Sequence, residues 1–595
     1  MRYYRCISRI IFSCSLPVHP RLYMKKLLLL TALSAALITC QKSGPGEADF
    51  TKLADEYVDA YLVGNPGEAV YLGFHEYDGK LVIPNADTIA RQLSQLRQYD
   101  STFARLDTTK LSVDEKIDYK LLTASIKAKI HDIVNLKTYE DPMTYSVNLS
   151  PYIERNFAPP VDRARSVIAI TRQLSAYFAV ARQNLGKNPP REYVEVAIEG
   201  LRGTADYLQN DIPKAFASLS DATVKSELDA ALKQGSDATN AFADYLAKSV
   251  LPNATGSFAI GADNYRKMLL YNEWLTADPD SLLQMGMARL AREKAEFAAA
   301  AKVIDPAKTP ADVFKIIQNE HPTADSLLSS TRNHCEAIRQ FLIDRQIVTV
   351  PSEVRATITK TPEFMVGSTA AMNTPGPFEK PAASEAYYYI TLPKKEWTPA
   401  QQTEWLTLFN RYVTEVVSIH EAYPGHYVQF LHLNASKVSR VRKIFSSYAF
   451  VEGWAHYTEQ MMLEEGFGQG GDAITKAKYK MAQLSESMLR YSRLVCSIRE
   501  HAMKENGKNW TVEQATKFIM DNCYYERKPA YEEARRGTFD PGYLSYSLGK
   551  LQLLALRDEM RKKQGSSFTL KAFHDQILDH GMPPVNLLRE LMLRQ

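Results

Sequence analysis

Cysteine is scarce in this chain, with six spread over 595 residues. Cys6 and Cys14 fall in an N-terminal leader and Cys40 at the end of an apolar run, which leaves only Cys335, Cys496 and Cys523, widely spaced. That pattern excludes a disulfide framework and a Cys-rich zinc site. One bridge in an oxidising compartment is compatible with the spacing but not indicated by it. No apolar run reaches the roughly 20 residues of a spanning helix; Leu27 to Ile38 stops short. No basic stripe with interleaved aromatics is present, which disfavours nucleic-acid binding. There is no G-x-S-x-G elbow for a serine hydrolase and no fixed repeat for a solenoid.

What is present begins with an address. Met24-Lys25-Lys26, the apolar run and Leu37-Ile38-Thr39-Cys40 read as a bacterial lipoprotein signal, cleaved before a cysteine that is then lipidated. Residues before Met24 read as an upstream-extended start. We therefore expect residues 1–39 to be leader and signal peptide, and residues 40–48 to be a lipidated tether attached through Cys40. The leader holds six Lys or Arg and no acid; taking six from 72 leaves 66 basic against 68 acidic residues in the remainder. Composition is otherwise ordinary for a globular protein, 45% hydrophobic and 24% charged.

Helical signals dominate from Asp49 onward. Leu53, Tyr57 and Tyr61 repeat at helical spacing before Asn65-Pro66-Gly67 breaks the run. Ser112 to Glu115 and Thr511 to Gln514 have the form of capping boxes. Val167 to Ala181 predicts one long helix, and Val194–Leu208, Val224–Val250, Leu269–Ala301, Ile474–His501, Tyr543–Arg561 and Phe568–Leu578 predict others. Composition shifts at Ile347. Val348–Val350, Val354–Ile358 and Ala386–Thr391 predict a small sheet, around a loop at Asn373–Pro377. Its edge is suited to an extended peptide, and equally to a purely structural role. Thr398-Pro399 predicts a helix start, and Thr403 to Ile419 an unbroken run into the most informative stretch of the chain. The fold class is mainly α, with 49–346 as an N-terminal helical half and 347–595 as a C-terminal half that holds the site.

That stretch is His420-Glu421-Ala422-Tyr423-Pro424-Gly425-His426. Hydrolytic zinc sites pair two His on one helical face with a Glu that acts as general base, in the form H-E-x-x-H. Here the second His comes six residues after the first, and on an unbroken helix the two would stand roughly 240° apart. Pro424-Gly425 lies between them, and proline kinks a helix. We expect the kink to swing His426 back beside His420. Downstream, Glu452, His456 and Glu459 share one helical face. Any of the three has the chemistry of a third ligand, which would leave one position for water.

The two motifs resemble those of the bacterial domain-of-unknown-function 885 family, H-E-x-x-P-G-H followed by E-G-W-A-x-Y-x-E. The resemblance extends to Asn65-Pro66, Gly73-Phe74-His75 and Tyr77-Asp78-Gly79 near the start, and to Arg536, Pro541-Gly542, Tyr546, Gly549-Lys550 and Phe573-His574-Asp575 near the end. The family is similar to zinc peptidases with a downstream Glu ligand. The resemblance implies a zinc-peptidase-like fold and zinc on His420, His426 and Glu452. Glu421 would be the general base, and Tyr546 would stabilise the oxyanion. Glu459 and His456 would stand behind the ligands, with Glu459 orienting an imidazole. Arg536, Lys550 and Tyr389 are expected substrate contacts, and His574 a structural residue. The chain departs from the family at Tyr543, where Gln is usual, and at Ser497, where Asp is usual.

These residues point to a zinc hydrolase on short peptides. Two rivals remain open: the same chemistry on a modified amino acid or other amide, and a lipid-anchored binding protein with a relic site.

Overall fold

The structure, a computed structural model, describes residues 45–362, 365, 369–380 and 386–594. The leader, the signal peptide and Cys40 lie outside the described residues. The fold is mainly α, with 72% helix and 3% strand. The first described helix, Pro45–Gly64, begins inside the expected tether. No helix among the described residues is long and apolar enough to cross a membrane.

Local chemistry sets the helix starts. Ser112 with Glu115, Thr398 with Gln401 and Thr511 with Gln514 each form a reciprocal capping box, which satisfies two of the donors orphaned at a helix N-terminus. Asn410 also caps a start: its side chain accepts from the backbone N–H of Val413. That cap divides the predicted run from Thr403, so the helix leading to His420 begins at Arg411. Val167 to Ala181 is likewise two helices, Pro160–Thr171 and Leu174–Asn184, rather than one.

The helices that build the site are labelled in chain order: α1 (Ala262–Glu273), α2 (Pro279–Ile304), α3 (Arg411–Glu421), α4 (His426–Ala435), α5 (Tyr448–Glu464), α6 (Ala473–His501), α7 (Arg527–Phe539) and α8 (Ser545–Gln564). Helix α6 is the axis of this half. Of its 29 residues only those of the first turn are exposed, because α2, α3, α5, α7 and α8 all pack against it. The largest apolar cluster runs from Leu290 to Met592, so α2 shares the core of the C-terminal half. A second cluster, Val70 to Ala254, and a third around Phe50, Tyr57 and Phe103 fill the N-terminal half.

The sheet is smaller than expected. It has strands β1 (Thr357–Lys360), β2 (Ala370–Asn373) and β3 (Tyr387–Ile390), in the order β1-β3-β2. Strands β1 and β3 are parallel, and β2 and β3 antiparallel. Val348–Val350 is not a strand, and β2, which was not expected, runs into the first residue of the expected loop, Asn373. β2 lies at an edge of the sheet and against α3.

Candidate metal centre

Helix α3 ends at Glu421, and its last turn carries His420. The chain then folds back on itself: the N–H of Gly425 donates to the carbonyl of Ile419 at 2.9 Å, and α4 starts at His426. A Cβ on Gly425 would sit 1.6 Å from the carbonyl oxygen of His420, so only glycine allows this approach. The indole N–H of Trp454, fully buried on α5, donates to the carbonyl of Pro424 at 2.9 Å and holds the turn from the other side. The result is a break and restart rather than a kinked helix. It brings the two imidazole rings to 4.9 Å between centroids at 89°.

Helix α5, capped by Ser447, presents Glu452 to this pair. One carboxylate oxygen, Oε2, lies 3.4 Å from Nε2 of His420 and 3.4 Å from Nε2 of His426. That oxygen is buried and makes no well-formed hydrogen bond among the described residues; Nδ1 of His426 is likewise without one. Ligand atoms 2.0–2.2 Å from a tetrahedral zinc stand about 3.4 Å apart. The donor set and its two carboxylate–imidazole separations therefore fit such an ion. Among the described residues this is the one group of three His, Cys or acidic side chains gathered closely enough to share a cation.

Without a cation the cluster is charged. Burial opposes a charge on His420, but its contacts with Glu452 and Glu459 outweigh it and push its pKa up to about 9. Burial opposes the Glu452 carboxylate too, and His426 and His420 together hold it well below the usual range.

Behind the cluster runs a buried polar chain. Nδ1–H of His420 donates to Glu459 at 2.7 Å, and Glu459 also accepts from Nδ1–H of His456 at 3.1 Å. This leaves Nε2 of His420 facing Glu452, the orientation a ligand needs. His456 is completely buried, which drives its pKa down to about 3. It faces Glu459 and Ser487 rather than the cluster.

On the other side, the Tyr546 ring lies nearly parallel to His420, 6.4 Å between centroids and 18° apart. Three guanidiniums surround that ring, Arg490, Arg493 and Arg536, at 5.9, 4.9 and 5.7 Å. Arg536 reaches the Tyr546 hydroxyl at 3.4 Å and donates to the Tyr448 hydroxyl at 2.9 Å. Its own charge is met by Asp540 at 3.0 Å.

The structure thus gathers His420, His426, Glu452, Glu421, Glu459, His456, Tyr546 and Arg536 in one region. It separates two expected substrate contacts from it. Lys550 is 1% exposed and donates to Ser487 at 3.1 Å, so its ammonium belongs to the buried chain. Tyr389 is 3% exposed and stacks on Tyr387 at 5.9 Å, which makes it a packing residue of the sheet. His574 is a buried structural residue, as expected, bonded to Tyr457 and to the carbonyl of Ile347. Cys335, Cys496 and Cys523 are free and buried. Tyr448 was not foreseen, although it lies one helical turn before Glu452 and spacing alone would have placed it on that face.

Comparison with known proteins bears on the whole chain. Among curated proteins none matches. A solved structure named a "putative lipoprotein of unknown function" from Shewanella oneidensis is 28% identical, with a TM-score of 0.75 over 91% of this chain and 99% of that one. A second, a "putative lipoprotein" from Colwellia psychrerythraea, shares the fold at 18% identity, with a TM-score of 0.75 over 92% and 98%. The pattern of the family described as "bacterial protein of unknown function (DUF885)" matches residues 66–592, and the chain belongs to that family.

Proposed function

We propose that this protein is a zinc-dependent hydrolase of short peptides, carried on the cell envelope by lipid at Cys40. The observation that supports the metal most directly is the paired 3.4 Å separation of Glu452 Oε2 from the two Nε2 atoms, in a pocket where that oxygen has no other partner. A zinc ion held by His420, His426 and Glu452 would supply Lewis acidity and bring the pKa of a bound water near neutrality.

The rest of the reaction falls to the chain's own residues. Glu421 follows a ligand directly and takes the proton of the attacking water, then passes it to the leaving nitrogen. A relic site has no need of this base, and its presence favours the enzyme over the scaffold. The Tyr546 hydroxyl donates to the oxyanion of the tetrahedral intermediate. Arg536 fixes that phenol through a hydrogen bond and a cation–π contact, and offers its remaining donors to a substrate carbonyl or carboxylate. The choice of a peptide is supported by β2, an edge strand beside α3, which an extended backbone can join. The names of the two similar structures and the signal ahead of Cys40 support the envelope location.

Elemental analysis of the purified protein, with a peptide screen read by mass spectrometry, tests the proposal. The expected result is about one zinc per chain, and cleavage that disappears in Glu421→Gln while zinc remains. A wild-type protein that takes up no zinc overturns it.

A further inference from the structure

The two site helices that carry Glu452 and Tyr546 start side by side, and a single carboxyl group sits between their starts. Glu273 is the last residue of α1, contributed by the N-terminal half, and it is 3% exposed. Its Oε2 accepts from the Ser447 hydroxyl, and its Oε1 from the N–H of Ala449 at 3.0 Å. The N–H of Tyr448 and the hydroxyl of Ser545 also hydrogen-bond to it. Ser447 is the cap of α5, and Ser545 is the first residue of α8. One side chain therefore satisfies orphan backbone donors at the start of α5 and takes a side-chain hydroxyl from the first residue of α8, joining two helix starts that come together only in the folded protein.

A second pin lies one turn further along. Gly453 of α5 and Gly549 of α8 cross without side chains: a Cβ on Gly549 would meet the carbonyl oxygen of Ala449 at 1.7 Å, and one on Gly453 would meet Gly549 Cα at 2.5 Å. Glu452 and Tyr546 both lie between the two pins.

We propose that Glu273 is a positioning residue: by tying the start of α5 to the start of α8, it sets the separation between the Glu452 carboxylate and the Tyr546 phenol. The inference rests on the metal reading for its consequence, but not for the tie itself. The group is well suited to the task. Its four partners are neutral donors, and the two oxygens of one carboxyl group have the lone pairs to accept from all of them at once. Burial nevertheless pushes its pKa up to about 7.

The test is made on the whole protein with Glu273→Ala, Glu273→Gln, Ser545→Ala and, as a control for lost stability alone, Leu201→Ala in the remote N-terminal core. Amide hydrogen exchange in the first turns of α5 and α8, measured without metal, is expected to quicken at least tenfold in both helices for Glu273→Ala. Ser545→Ala should quicken only α8, and Leu201→Ala neither. Glu273→Gln, whose amide group turns a donor toward the helix N–H groups, should follow Glu273→Ala at reduced size and covers the case where Ala fails to fold. Zinc affinity by chelator competition should weaken at least tenfold in both Glu273 variants. Exchange that quickens in one helix or neither, or zinc affinity within twofold of wild type, overturns the proposal. A wild-type protein that binds no zinc removes the metal reading, while the exchange data still decide the tie.

Discussion

Nδ1 of His420 stands 2.7 Å from a carboxylate oxygen of Glu459, one helix away, and that contact decides which face of the imidazole looks into the cluster. A histidine whose Nδ1–H is held by a carboxylate is fixed in one tautomer, with a more basic Nε2. Glu459 is itself buried between His420, His456 and Arg490, so nothing from solvent can replace it. Glu459→Ala should therefore weaken zinc binding by about 10- to 100-fold, as loss of such partners typically does. Glu459→Gln, which keeps an accepting oxygen, should lose less. Competition against a chromogenic chelator checks both.

The turn between the two histidines makes a sharper demand. With 1.6 Å between a would-be Cβ at Gly425 and the His420 carbonyl oxygen, even one methyl group must displace backbone. Gly425→Ala should cost about 3 kcal/mol or more, the upper end of overpacking penalties. Zinc content should fall with stability, because the displaced segment begins at His426. Thermal melting and metal analysis of the same sample check this. A variant that melts like wild type would contradict the geometry.

Much of this was legible in the amino-acid order. The spacing of His420 and His426 around Pro424-Gly425 indicated that the two imidazoles meet, the family resemblance singled out Glu452 and Glu459 beside them, and the fold brings all four together. The capping boxes at Ser112 and Thr511 and the helix start at Thr398 were readable because the interactions are local. The break at Asn410 was missed because its side chain caps a helix inside a run that periodicity reads as continuous. Lys550 and Tyr389 were misplaced for a different reason. Periodicity gives the face of an element but not its depth, and both turn out to be enclosed by neighbours distant in sequence. Glu273 carried no signal at all, since its meaning depends on two helix starts far downstream.

Two buried groups should tilt the pH dependence of stability in opposite directions. His501 is fully buried with Nε2–H donating to the Gly537 carbonyl at 2.7 Å, and burial drives its pKa down to about 4. The unfolded chain binds a proton there below about 6.5 and the folded chain does not. The stability is present above that value and lost as pH falls toward 4, by about 3 kcal/mol at one pKa unit per 1.4 kcal/mol. Glu273 runs the other way. Burial raises it to about 7, so the folded state holds a proton the unfolded state has released. Its contribution is greatest below about 4.5 and is lost as pH rises through 7, again by about 3 kcal/mol. Denaturation midpoints from pH 4 to 8.5 should show a shallower gain with rising pH between about 4 and 6.5 in His501→Gln, and a shallower loss between about 4.5 and 7 in Glu273→Gln.

Metal removal separates the general base from the ligands. An ion that binds only the folded state adds about 4 kcal/mol when present at 1,000 times its dissociation constant. Chelation should therefore lower the melting temperature of the wild type, and zinc should restore it. Glu421→Gln leaves all three ligands in place, so zinc should still raise its melting temperature while hydrolysis falls by about 10²- to 10⁴-fold, the usual worth of a positioned base. Glu452→Gln removes the carboxylate that faces both imidazoles, so zinc should neither stabilise that variant nor support turnover. If Glu421→Gln loses the zinc-dependent rise as well, Glu421 is a ligand rather than a base, and the order of roles along His420-Glu421 must be redrawn.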